Sequence, residues 1–256
     1  MAKHSAEVVI EGLKKILIKE KEGMDEEVQG KVEMFIAEFQ GSMAASGHQH
    51  DPDAQTLERG FDFFKNKIFD KNPEFFEALA KKQQPRFLVI GCSDSRVNPP
   101  TILNFNLGEA FMSRNIGNMV PQFDQLRHAE IGSVIEYAVK HLEVTNILVM
   151  GHSHCGGIER LMELPDPTLT HDFLDEWVKI GLPAKNKVLE QCNHLGTEEQ
   201  KRLVEKESVK NSMANLLTYP FVRNAVVNGT ITLRGGYYNF DNGTFQQWKL
   251  CTKPMP

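Results

Sequence analysis

The chain has 256 residues, 41% of them hydrophobic, enough to bury a sizeable core as one α/β domain or two smaller ones. Its net charge of −5, with Lys and Arg scattered along the chain, leaves no basic footprint for nucleic acid, and no apolar run approaches the roughly 18 to 20 residues of a membrane helix. Glu7, Glu11 and Glu20 argue against a signal peptide or an intact transit peptide, and four cysteines are too few for a disulfide framework. The expectation is a soluble protein of a reducing compartment: the cytoplasm, or the chloroplast or mitochondrion if a transit peptide has been removed.

In chain order, residues 6–41 carry spaced apolar residues (Val8, Val9, Leu13, Ile16, Leu17, then Val32, Met34, Phe35, Phe39) among Glu and Lys, the pattern of two amphipathic helices. Gly41 to Gln55 reads as a linker, in which His48 and His50 lie beside Asp51. Residues 1–55 are thus expected to form a helical arm and linker, and 56–256 the main domain. Leu57 to Lys82 has helical spacing broken at Asn72-Pro73. Arg86 to Ile90 and Asn146 to Met150 are short apolar runs ending at Gly91 and Gly151, as buried parallel strands do. Between them, Glu109 to Asn115 reads as a strand and Arg127 to Leu142 as the crossover helix. Gly229 to Phe240 reads as a strand, turning at Asp241-Asn-Gly243 into another over Thr244 to Leu250. The fold class is α/β, a mostly parallel sheet with flanking helices.

Directly after the two glycines stand Cys92-Ser-Asp94-Ser-Arg96 and, sixty positions on, His152-Ser-His-Cys155. Ligands in an open sheet gather beyond the C-terminal strand ends, so the two motifs should meet in space. Two thiolates and one imidazole are the donors zinc favours, and three protein ligands leave a fourth position open for water. Zinc lowers the pKa of that water from about 15.7 toward about 7, which makes hydroxide at neutral pH. His152 and His154 both compete for the imidazole position, and the spacing to Cys155 favours His152. Asp94 and Arg96 suit a bidentate pair. Arg96 would then hold Asp94 ionised to orient the hydroxide, or Asp94 would swing onto the metal and close the site. Gly156-Gly157 reads as a helix start able to donate N–H groups to an anion, and equally as a tight turn. Cys192 and Cys251 have no partner motif. A purely structural or redox-sensing zinc site would not need Asp94 and Arg96.

These motifs, with Gly108-Glu-Ala-Phe111, Arg114-Asn-Ile-Gly-Asn118, Glu176-Trp-Val-Lys-Ile-Gly-Leu-Pro-Ala184, Asn215-Leu-Leu-Thr-Tyr-Pro-Phe-Val222 and Gly235-Gly-Tyr-Tyr238, resemble the plant-type β-class carbonic anhydrases over roughly residues 56–250. The resemblance implies reversible hydration of carbon dioxide to bicarbonate by zinc-bound hydroxide. It makes Cys92, His152 and Cys155 the Zn2+ ligands and Asp94 and Arg96 the catalytic pair. Gln83 and the Gly156 N–H would contact bicarbonate, and Phe111, Ile116 and Tyr137 would wall the carbon dioxide pocket, partly across a dimer interface. It further implies a homodimer or a higher homo-oligomer, up to tetramer or octamer. His154 stands where plant relatives usually carry a small or neutral polar residue, and Val89 where the bicarbonate-inhibited bacterial forms carry Trp. His141 and His154 are candidate proton shuttles.

Overall fold

The computed structural model describes residues 51–165 and 171–250, with isolated positions 30 and 34. The expected N-terminal helices, His48 and His50, Cys251 and the proline-containing tail lie outside the described residues. Two compact units divide the chain, residues 1–73 and 74–256.

In the first unit, helix α1 spans Pro52–Phe63 and continues as a wider turn over Phe64–Phe69. It begins earlier than the expected Leu57, inside the stretch read as linker. The Asp51 carboxylate caps the N–H groups of Asp53 and Ala54 at 3.0 and 3.1 Å, and Pro52 occupies the first turn, where its missing N–H costs nothing.

Helix α2 (Pro73–Lys81) follows the expected break, and from Glu74 onward it belongs to the second unit. That unit is built on a five-stranded sheet of β1 (Phe87–Cys92), β2 (Ala110–Asn115), β3 (Asn146–His152), β4 (Thr232–Asn239) and β5 (Thr244–Lys249), in the order β2-β1-β3-β4-β5. The first four strands are parallel and β5 is antiparallel to β4. A short helix, α3 (Pro99–Leu103), separates β1 from β2, and α4 (Ala129–Glu136), prolonged by a wide turn over Tyr137–His141, leads to β3. Then come α5 (Gly156–Glu163), α6 (Leu174–Val178), α7 (Leu182–Gln191), α8 (Thr197–Leu216) and α9 (Pro220–Val227).

The strands read as unbroken apolar runs because both sheet faces are covered. Leu88 and Ile90 of β1, with Ile147 and Val149 of β3, pack on Ile135 of α4 and Val209, Met213 and Leu216 of α8. Val89, Leu148 and Met150 point to the opposite face and pack with Val97. Gly151 admits α8 against β3, since a Cβ there would lie 2.6 Å from Val209 Cγ2. From β1 the chain moves outward to β2 and then returns across β1 to β3, so the direction of winding reverses between β1 and β3. The crevice at their C-terminal ends is where such sheets bind ligands. Cys92 and His152 are the last residues of those strands. No helix among the described residues is long and apolar enough to cross a membrane.

Candidate active site

At the strand ends Cys92, His152 and Cys155 converge, with all three ligand atoms within 4.8 Å of one another and all three side chains buried. Cys155 immediately precedes α5, and its sulfur lies 4.0 Å from that of Cys92. Two sulfurs at about 2.3 Å from a tetrahedral zinc would be about 3.8 Å apart. His152 Nδ1 donates to the Ser153 carbonyl at 2.8 Å, which fixes the tautomer and leaves Nε2 buried with no hydrogen-bond partner. That buried nitrogen faces two sulfurs, and one imidazole with two thiolates is the donor set that a soft or borderline cation takes, so the residues fit zinc. His154 has φ of 55° and turns away, its Nε2 bonded to Asp241 at 2.8 Å.

The hydrogen bond from the Cys155 thiol, with His152 close by, holds the Cys92 thiol well below its ordinary range, against the effect of burial. Cys155, as the donor of that pair and the more deeply buried, is pushed well up. A cation binding both sulfurs would displace the proton they share, since thiolates and not thiols ligate.

Asp94 and Arg96 form a fork. Arg96 Nε and Nη2 donate to Asp94 Oδ1 and Oδ2 at 3.0 and 2.7 Å, and the Arg96 backbone N–H adds a third bond to Oδ1 at 2.9 Å. Arg96 is the main cause that holds the Asp94 carboxyl at about 2. The loop is secured from β2, where Arg114 donates to the carbonyls of Cys92, Asp94 and Val97 at 2.9, 2.7 and 2.6 Å. From α8, the buried Glu205 accepts the Cys155 N–H at 3.2 Å and the Tyr237 hydroxyl at 2.6 Å. The site-building roles of Arg114 and Glu205 go beyond the sequence reading. Arg114 sat inside a motif without a role, and Glu205 lies in a Glu-Lys-Glu run that reads as a solvated face.

Gly156 opens α5 beside Cys155. Ile116 also belongs to this end of the sheet. A Cβ on Gly157 would lie 2.8 Å from its Cγ2, and Trp177 Nε1 donates to its carbonyl at 2.7 Å. Ile116, Ser93, His128, Phe173 and Trp177 border an open cleft of about 720 Å³. The structure does not bring the other pocket candidates here. Phe111 pairs with Leu88, four residues and about 13 Å back along the strands from Cys92, and its ring meets Tyr137 at 5.8 Å. Gln83 is exposed in the stretch preceding β1.

Residues 87–245 match the family model described as carbonic anhydrase. The chain is 48% identical over 205 residues to "Beta carbonic anhydrase 3" of Arabidopsis thaliana, covering 79% of each chain. It belongs to the β-class carbonic anhydrases. Among solved structures, the β-carbonic anhydrase CcaA superposes with a TM-score of 0.73 at 30% identity, over 80% of this chain and 94% of that one. A tetrameric β-carbonic anhydrase of Sordaria macrospora gives 0.70 at 28% identity, over 78% and 100%. That membership agrees with the fold class and the enzyme class expected from the motifs.

Proposed function

We propose that this β-class carbonic anhydrase holds one Zn2+ through Cys92 Sγ, His152 Nε2 and Cys155 Sγ and interconverts carbon dioxide and bicarbonate, with Asp94 and Arg96 as its catalytic pair. The observation that carries this reading is the three buried donor atoms within 4.8 Å of one another, with the Asp94–Arg96 fork beside them. When bound, zinc supplies the Lewis acidity that makes water a nucleophile near neutral pH. The protein's own groups do the rest. Asp94, ionised at every working pH, has no proton to give and only accepts, so it orients an O–H donor beside Cys92. Three hydrogen bonds to Arg96, which is itself tied to the His154 carbonyl at 3.2 Å, favour this orienting role over a swing onto the metal. In this reading the Gly156 N–H, at the start of α5 next to Cys155, donates to an anionic product oxygen, and Ile116, against the neighbouring Gly157, supplies apolar wall.

Phe111, Tyr137 and Gln83 complete the pocket from a second copy of the chain. Supporting this are their placement away from the cluster, the 44% exposure of Tyr137, and the tetrameric assembly of the Sordaria relative. Residues 56–256 act in this reading as the catalytic domain and 1–55 as an accessory arm.

Metal analysis of the purified chain tests the ligand set. One zinc per chain is expected, lost in His152→Ala and kept in His154→Ala, with hydration activity following the zinc. Retention in His152→Ala with loss in His154→Ala would overturn it.

A further inference from the structure

The turn joining β4 to β5 is built into the site. The Phe240 N–H donates to Ser153 Oγ at 2.8 Å, and the Ser153 N–H donates to the Tyr238 carbonyl at 2.9 Å. Ser153 is fully buried, so this pair of bonds fastens the turn to the loop between His152 and Cys155. The Phe240 ring then contacts both halves of the site. Its centroid is 5.3 Å from the His152 ring in a T-shaped arrangement and 4.6 Å from the Arg96 guanidinium carbon, which lies over its face. Tyr238 packs edge-on behind it at 5.1 Å. Asp241, the next residue, bonds His154 at 2.8 Å with one carboxylate oxygen and Arg202 at 2.9 Å with the other.

We propose that Phe240 is a positioning residue: its ring holds the Arg96 guanidinium over Asp94 and fixes the plane of His152, acting on the chemistry through both. The inference rests on the zinc and hydration reading above. Arg96 is otherwise exposed, and the attraction of a cation to an aromatic face favours the one rotamer of this long side chain that lies over the ring. Ring packing on a ligating His acts on the metal as outer-shell partners do, whose loss costs about 10- to 100-fold in affinity or activity.

Two variants test this. Phe240→Leu keeps apolar bulk and removes the ring, and Phe240→Tyr keeps the ring. Zinc affinity is read by competition with a chromophoric chelator, and hydration by stopped flow. Phe240→Leu is expected to bind zinc about tenfold more weakly and to lose about tenfold in kcat and kcat/KM together, the pattern of lost transition-state orientation. Phe240→Tyr is expected to stay within about twofold of the parent in both. Phe240→Leu within twofold in both readouts, or Phe240→Tyr falling as far as Phe240→Leu, would overturn the proposal. If the parent itself hydrates no carbon dioxide, the functional reading fails, and the zinc competition alone decides whether Phe240 braces the ligand.

Discussion

Glu205 is a buried carboxylate, 5% exposed, whose two oxygens serve two donors, the Cys155 backbone N–H and the Tyr237 hydroxyl. Burial is the main cause that raises its pKa, so its desolvation offsets part of what the bonds supply. Hydrogen bonds to a charged group are worth about 1.5–3 kcal/mol each, so Glu205→Ala forfeits about 3–6 kcal/mol and strands two buried donors. Relief of the carboxylate's desolvation returns part of this, and a net loss of about 2–4 kcal/mol is expected, in the range of a broken buried hydrogen-bond network. For a unit of this size that is a fall of about 4–16 °C in Tm. Glu205→Gln keeps an acceptor for the Cys155 N–H and is expected to lose only about 1 kcal/mol. Differential scanning fluorimetry at matched protein concentration and zinc loading reads both. A Tm for Glu205→Ala within about 1 °C of the parent would refute the view that this carboxylate anchors the ligand loop.

Gly157→Ala would place a Cβ 2.8 Å from Ile116 Cγ2 and 3.1 Å from the Gly117 backbone nitrogen. Such overpacking costs about 1–3 kcal/mol, and a lowered urea midpoint with reduced activity is expected. Because Asp94 is depressed in the folded chain from the ordinary 3.8 to about 2, its contribution is complete above about pH 4 and is lost as pH falls through about 2. The shift corresponds to about 2 kcal/mol, cut to about 1 by solvent screening. In acid titrations of metal-free protein, the parent should therefore exceed Asp94→Asn in stability at pH 5 and converge with it near pH 2. A difference that grows toward low pH would contradict the assignment.

The sheet and the clustering of Cys92, His152 and Cys155 were legible because buried parallel strands are written as unbroken apolar runs, and Cys92 and His152 directly follow their terminal glycines. The Asp94–Arg96 fork was legible because both partners sit on one loop. Helix α8 leaves little trace in hydrophobic periodicity. It buries Glu205, Ser208, Ser212 and Asn215 along with Val204, Val209 and Met213; Glu205 serves the Cys155 loop, and Ser212 and Asn215 serve the loop after Asn118. Asn215 Nδ2 and Ser212 Oγ, for example, bond the backbone of Val120. The separation of Phe111 and Tyr137 from Ile116 depends on strand register, which a motif does not encode. Phe240 read as the end of a strand, and only the closed turn shows its ring against Arg96 and His152.

The most direct test of the account is stopped-flow carbon dioxide hydration by zinc-assayed parent beside Asp94→Ala, across about pH 6 to 9. The account predicts fast turnover in the parent that rises with pH along a single limb, since Asp94 titrates far below this range, and a collapse of kcat/KM in Asp94→Ala at full zinc occupancy. A fully zinc-loaded parent without turnover, or an Asp94→Ala variant as fast as the parent, would contradict it.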